Sequence, residues 1–149
     1  MSGIAVRRVA VGDYAAWLPL WQGYCAALGG EVSEQVTAAT WRRILDPADP
    51  ISCLAACDKD GRVIGIAVWH LHANTWSLQP VCYLEDLFVA PEARGSGAAQ
   101  ALIRQLVAMG RAKGWRRVYW HTTEGNYRAR SLYDRVARRT DYVRYDIDL

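Results

Sequence analysis

No stretch of this chain approaches the ~20 consecutive apolar residues that a membrane-spanning helix requires. Residues 1–12 are too short of apolar length for a secretory leader and carry Arg7 and Arg8. A soluble, cytoplasmic protein is the expectation. Zinc-type cysteine spacing is missing too. Cys25, Cys53, Cys57 and Cys82 fit no ligand pattern, so no metal is expected. They read as small buried hydrophobes of a reducing compartment, with a reactive thiol as the alternative. Charged residues make up only 22% of the chain and apolar ones 52%, which argues against disorder. Repeats, low-complexity tracts and linkers are absent, and 149 residues suit one domain, 1–149.

Basic residues are scarce before position 90 and acidic ones after it. Residues 1–90 hold 6 Lys/Arg against 9 Asp/Glu, a balance of −3, and residues 91–149 hold 12 against 6, a balance of +6. An acidic half and a basic half suit a cationic and an anionic partner respectively. A solvated, Arg-rich helix over 128–139 accounts for much of the second balance equally well.

Periodicity supplies the elements. Ile4–Val9 reads as a strand. Asp13 is placed to cap a helix over Tyr14–Leu28, with Trp17, Leu20, Trp21, Tyr24 and Leu28 at helical spacing. A second helix is predicted over Ser33–Leu45, with Thr37 a candidate cap. Ile51–Cys57, the turn Asp58-Lys-Asp-Gly61 and Arg62–Leu71 form a hairpin pattern, in which Gly65 marks a bulge or a close backbone approach. After the loop 72–80 come a strand Val81–Val89, a helix Gly97–Lys113, a strand Arg117–Thr122, a helix Tyr127–Arg138 and an alternating strand Asp141–Leu149. The order is β-α-α-β-β-β-α-β-α-β, an α/β protein with a mixed sheet.

The stretch Tyr83–Gln100 carries the chemistry. Pro91 ends the strand. Gly95 and Gly97 let backbone N–H groups turn toward a ligand, and the following helix adds its free N–H groups and positive dipole end. The combination suits a phosphate or pyrophosphate. The Gly-Lys-Ser/Thr of a P-loop is absent. Gln100 stands where a dinucleotide fingerprint would place its third glycine, which argues against that fold. Glu85 and Asp86 lie on the strand that feeds this loop. Alternation sends them to opposite faces unless a bulge intervenes.

Arg94-Gly-Ser-Gly97-Ala-Ala99, with Tyr83-Leu-Glu-Asp-Leu-Phe-Val and the later Val118–Tyr133, resembles the GNAT superfamily of acetyl-CoA-dependent N-acetyltransferases. The branches it is similar to are the spermidine/spermine and the yeast histone/polyamine acetyltransferases. The resemblance covers the whole chain and implies the acyl-CoA N-acyltransferase fold. It also implies transfer of an acetyl group from acetyl-CoA to a primary amine of a small molecule or polyamine, by direct attack in a ternary complex. By the same resemblance, Arg94, Gly95, Ser96, Gly97, Ala98 and Ala99 bind the pyrophosphate. Leu87, Phe88 and Val89 pair with the pantetheine arm as an added strand, and Asn126 bonds that arm or caps a helix. Tyr133 is the general acid toward the thiolate, and Glu85 the base. Arg128 or Arg130 reaches the 3′-phosphate, or neither does. One departure is that no Gly-Phe follows the last helix, so the packing of the C-terminal segment, and its exchange between subunits of a homodimer, stays open.

The chemistry asks for such groups. An alkylamine with a pKa near ~10 arrives charged and must lose a proton before it attacks. A carboxylate first attracts the cation and then takes that proton. Asp86, Trp21, Tyr24 and Trp76 are the expected acceptor contacts, with Trp17 and Trp21 also readable as core. His121 is a rival base, and His70 and His72 border the site. Two alternatives remain, a protein or peptide lysine acetyltransferase and a non-catalytic acetyl-CoA-binding regulatory module. Membrane and nucleic-acid partners are not expected, although the Arg-rich helix is the one feature that would favour the latter.

Overall fold

The computed structural model describes residues 3–149. A five-stranded sheet runs in the order β1 (Ala5–Arg8), β2 (Ser52–Cys57), β3 (Val63–His72), β4 (Val81–Val89), β5 (Arg117–Tyr119). The first four strands are antiparallel neighbours, and β5 joins β4 in parallel. The described residues also form four α-helices: α1 (Tyr14–Ala27), α2 (Glu34–Leu45), α3 (Ala98–Lys113) and α4 (Tyr127–Val136).

The sheet separates two cores. On one face Trp17, Leu20 and Trp21 of α1 and Ile44 of α2 pack on Cys53, Ala55, Ile66 and Val68. On the other, Ala98, Leu102, Ile103 and Leu106 of α3 pack on Leu54, Ala67, Trp69, Cys82 and Leu84, with Leu132, Tyr133 and Val136 of α4 at its edge. All six residues of β2 are buried because both faces are covered there. Cys53, Cys57 and Cys82 are buried free thiols, as expected, and Cys25 is half-buried.

Local details differ from the sequence reading. Asp13 stands at the N-cap of α1, as expected, but its side chain makes no cap bond there. Its carboxylate accepts from the Ala10 N–H at 2.7 Å and pairs with the Arg7 guanidinium at 2.7 and 2.8 Å. Ser33 rather than Thr37 caps α2, its Oγ accepting from Val36 at 3.2 Å. Gly65 is a close approach: a Cβ there would stand 3.2 Å from Val89 Cγ2 and 3.3 Å from the Phe88 carbonyl oxygen.

The last predicted strand, Asp141–Leu149, is the correction. The chain after α4 has no regular structure. Tyr142, Tyr145 and Ile147 are all at least 88% exposed. Alternation makes a segment competent to be a strand, but a strand also needs a neighbour to bond its N–H and C=O groups. The sheet edge at β5 is also shorter than expected and ends at Tyr119 rather than at Thr122.

Candidate active site

The site begins with a fault in the β3–β4 ladder. Val68 pairs with Asp86 and Trp69 with Leu84, so Glu85 is an extra residue in β4. Cys82 and Leu84 point into the α3 core. Beyond the bulge, Phe88 packs on the α1 side, and the Asp86 charge acts on Tyr24, Cys25 and Cys53, which belong to that same side. The bulge thus overrides the alternation that would have sent the two carboxylates to opposite faces.

Glu85 and Asp86 occupy different surroundings. The Glu85 side chain is exposed, with Oε2 3.7 Å from His70 Nε2. Asp86 is half-buried under α1. Burial pushes its carboxyl up to about 6, the nearby Tyr24 hydroxyl works against that rise, and the Glu85 charge adds to it. The Tyr24 hydroxyl donates to the Glu85 carbonyl oxygen at 3.3 Å. Burial, with the Asp86 charge second, raises its own pKa, which keeps the phenol protonated.

On its other edge β4 is half bare. Its parallel pairing with β5 covers only Val81–Tyr83. From Leu84 to Val89 no described strand bonds that edge, and it faces the opening between β4 and β5. Leu87 and Val89 turn their side chains into the α3 core, while Phe88 packs toward α1, where Gly23 leaves room for its ring. What these three residues offer on the open edge is main chain, the type of surface on which an extended arm adds as a strand.

The loop at the end of β4 suits an anion. A short turn, Pro91–Ala93, leads to extended Arg94, then to Gly95 at φ 84° and Gly97 at φ 89°. Only glycine adopts these angles without strain. A Cβ at Gly95 would meet nothing within 4 Å, so the main chain there is open to a ligand. Gly97 is the N-cap of α3 and has no side chain to offer the helix. Ser96 Oγ accepts from the Ala98 N–H at 3.3 Å. The Ala99 and Gln100 N–H groups are among those a first turn leaves without helical partners. The Arg94 guanidinium lies 5.6 Å from the centroid of the Phe88 ring, above the same loop. These residues fit a pyrophosphate.

Tyr133 projects from α4 toward the sheet and packs edge-on against Trp120, with ring centroids 5.3 Å apart. Burial raises its pKa above the ordinary tyrosine range. Among the described residues its hydroxyl has no hydrogen-bond partner. Asn126 caps α4: its amide oxygen accepts from Ala129 at 3.5 Å and its Nδ2 donates to Thr122 Oγ1 at 3.0 Å. Arg128 is exposed, and Arg130 donates to the Glu124 carbonyl oxygen.

The aromatic residues divide. Trp17 and Trp21 are stacked in the core, at 5.7 Å and 8°. Trp21 donates its indole N–H to Thr37 Oγ1 at 3.1 Å and stacks on Tyr24, whose ring lies 6.2 Å away. Trp76 is 83% exposed on the β3–β4 loop. Tyr83 and Tyr119 are the rings the sequence reading passed over. Together with His70, His72 and His121 they pave the sheet face between β3 and β5, with neighbouring centroids 5.1–5.9 Å apart. One signal for them was present. Trp120 belongs to the α3-side core, so Tyr119 and His121 had to face the other way. Among the described residues, no three His, Cys, Asp or Glu side chains are grouped to hold a metal. Among the described residues, no helix is long and apolar enough to cross a membrane.

Comparison with known proteins agrees with this geometry. The model of the acetyltransferase (GNAT) family matches residues 16–137. The D-amino-acid N-acetyltransferase HPA3 of Saccharomyces cerevisiae is 33% identical over 143 residues, which cover 95% of this chain and 89% of that protein. The crystal structure of a ribosomal-protein-alanine N-acetyltransferase from Brucella melitensis biovar Abortus 2308 has a TM-score of 0.82 at 20% identity, covering 98% of this chain and 99% of that one. An aminoglycoside N-acetyltransferase in complex with coenzyme A has a TM-score of 0.80 at 23% identity, covering 97% and 94%. At these identities the two structures speak for the fold, whereas the family model spans most of the chain. This chain therefore belongs to the acetyltransferase (GNAT) family and is an N-acetyltransferase.

Proposed function

We propose that this enzyme transfers an acetyl group from acetyl-CoA to a primary amine of a small molecule or polyamine, by direct attack in a ternary complex, in the cytoplasm. The observation that carries the reading is the bulge at Glu85. It sets two carboxylates beside the bare edge of β4, one exposed and one half-buried. A cationic amine approaching that edge meets negative charge first and loses its proton there.

In this reading acetyl-CoA supplies an activated thioester carbonyl. Gly95 to Ala99 hold the pyrophosphate through main-chain N–H groups, with Arg94 adding charge. Leu87 to Val89 align the pantetheine arm. Asn126, already committed to the α4 cap, holds the turn that borders that arm. Glu85 accepts the ammonium proton. Asp86 and Tyr24 hold the cation, with Trp76 on the loop above and Trp21 backing Tyr24. Tyr133 keeps its proton for the leaving sulfur.

The test is thiol release from acetyl-CoA with spermidine, D- and L-amino acids, an aminoglycoside and a lysine peptide as acceptors. Turnover of the free amines in preference to the peptide is expected. Turnover of the peptide alone would replace this reading by a protein acetyltransferase, and tight coenzyme binding without any turnover by a regulatory module. Glu85→Gln is expected to lower kcat/KM for the amine by roughly 100-fold and to leave coenzyme affinity unchanged in calorimetry.

We also propose a homodimer. The alternating, exposed segment 141–149 supports it, because a second copy is a ready source of the strand partner this segment lacks. Light scattering is expected to give twice the chain mass, and removal of residues 141–149 to give the monomer. A full-length monomer would refute the assembly.

A further inference from the structure

All three histidines of the chain lie around the acceptor side of the site. His70 is the one that reaches the base. It pairs with Tyr83 across the β3–β4 ladder, just past the bulge, and its ring stands edge-on to the Tyr83 ring at 5.5 Å. That contact turns Nε2 toward Glu85, 3.7 Å from Oε2. Both side chains are partly open to solvent, 28% for His70 and 43% for Glu85.

From this geometry we propose that His70 is the second half of the base, taking over from Glu85 the proton that the amine gives up. The inference rests on the reading of Glu85 as the first proton acceptor. The steps balance. An ammonium N–H bond breaks, and the proton goes to a Glu85 oxygen. It passes to His70 Nε2, which must be the unprotonated ring nitrogen, and leaves from the imidazolium to bulk water. Glu85 is a carboxylate again. The amine lone pair forms the N–C bond as the C–S bond breaks, Tyr133 gives the sulfur its proton, and the second proton shed by the acylated nitrogen restores the Tyr133 hydroxyl.

The reason for a relay is the mismatch between the partners. A model alkylamine titrates near ~10, a model carboxylate near ~4.3 and a model imidazole near ~6.5. Moving the proton on to an imidazole makes the transfer within the site, before release to water, less unfavourable by about two orders of magnitude in equilibrium constant. The 3.7 Å separation is ion-pair range rather than a hydrogen bond. It closes by rotation of the exposed carboxylate or is bridged by one water.

The groups that face His70 set its behaviour. Glu85 is the carboxylate that faces its Nε2, at 3.7 Å. Tyr83 is a neutral ring whose hydroxyl lies 3.2 Å from His121 Nδ1, so His121 is one ring further out. Tyr119 packs on Tyr83 from β5 at 5.1 Å. From α1, Tyr24 carries the Asp86 charge next to it. Arg144 of the C-terminal segment acts on Tyr83.

The experiment compares wild type, His70→Gln and His70→Ala with the best acceptor from the panel above. His70→Gln is expected to lose roughly 10-fold in kcat at neutral pH with KM changed less than about 2-fold. The acid limb of its kcat profile should move to lower pH, and exogenous imidazole should restore part of the His70→Ala rate. Superimposable pH profiles for wild type and His70→Gln would overturn the relay and leave the transferase reading intact. A wild type inactive with the whole panel would overturn both.

Discussion

Tyr133→Phe is expected to lower kcat by roughly 100-fold, the usual range for loss of a positioned proton donor. The KM for acetyl-CoA should stay within about 2-fold, because the change removes a hydroxyl needed when charge develops on sulfur. The ring of Tyr133 packs on Trp120 in the α3-side core, and phenylalanine keeps that contact. The fold should therefore lose no more than about 1 kcal/mol, because no described group bonds the hydroxyl. Burial raises the phenol pKa, so the donor is present throughout the neutral range. A wild-type rate that declines between pH 7 and 9 should decline in Tyr133→Phe as well. Steady-state kinetics against pH, with thermal melting as the control, decides the matter. An unchanged kcat would remove Tyr133 from the chemistry.

Asp86→Asn is expected to move activity and stability in opposite directions. Activity falls, by roughly 10- to 100-fold in kcat/KM for a cationic amine, because a carboxylate facing the acceptor is lost. Stability rises near neutral pH. The folded-state pKa is about 6 against an ordinary 3.8, and desolvation by α1 is the main cause. The fold therefore binds this proton more tightly than the unfolded chain does. Stability falls as pH rises from the unfolded value through the folded one, and the penalty is complete above about 6. Asparagine carries no charge to desolvate. The variant should be more stable than wild type by on the order of 2 kcal/mol at pH 7, and no more stable near pH 3.5. Urea denaturation at both pH values measures the difference. An equal effect at the two would show that the carboxyl is not the titrating source. Opposite changes in activity and stability would make this half-buried carboxylate a stability–function trade-off.

The two carboxylates are also where sequence and structure part company. Alternation along β4 follows from the pleat and predicts opposite faces for Glu85 and Asp86. The bulge that turns both to the α1 side is a property of the β3–β4 register, in which Val68 pairs with Asp86 and Trp69 with Leu84. Register depends on the packing of two distant segments, and single-strand periodicity does not contain it. Trp21 shows the same limit. Its helical spacing is legible, but the Thr37 hydroxyl that satisfies its indole N–H comes from another helix.

Local sequence was enough to determine the loop from Arg94 to Ala99, because left-handed glycines ahead of a helix impose their geometry through sterics and unpaired N–H groups. The hairpin from β2 to β3 and the amphipathic faces of α2, α3 and α4 were legible for the same local reason. With the motif from Tyr83 to Ala99 they were enough for the family. The tertiary structure alone decided how far β5 runs beside β4, and hence that the edge from Leu84 to Val89 is bare. It also gathered His70, Tyr83, Tyr119 and His121 from three separate segments, and it left Asp141–Leu149 without a partner despite its alternation. A strand edge, a shared face and a missing partner are relations between segments, and periodicity within one segment carries no information about the next.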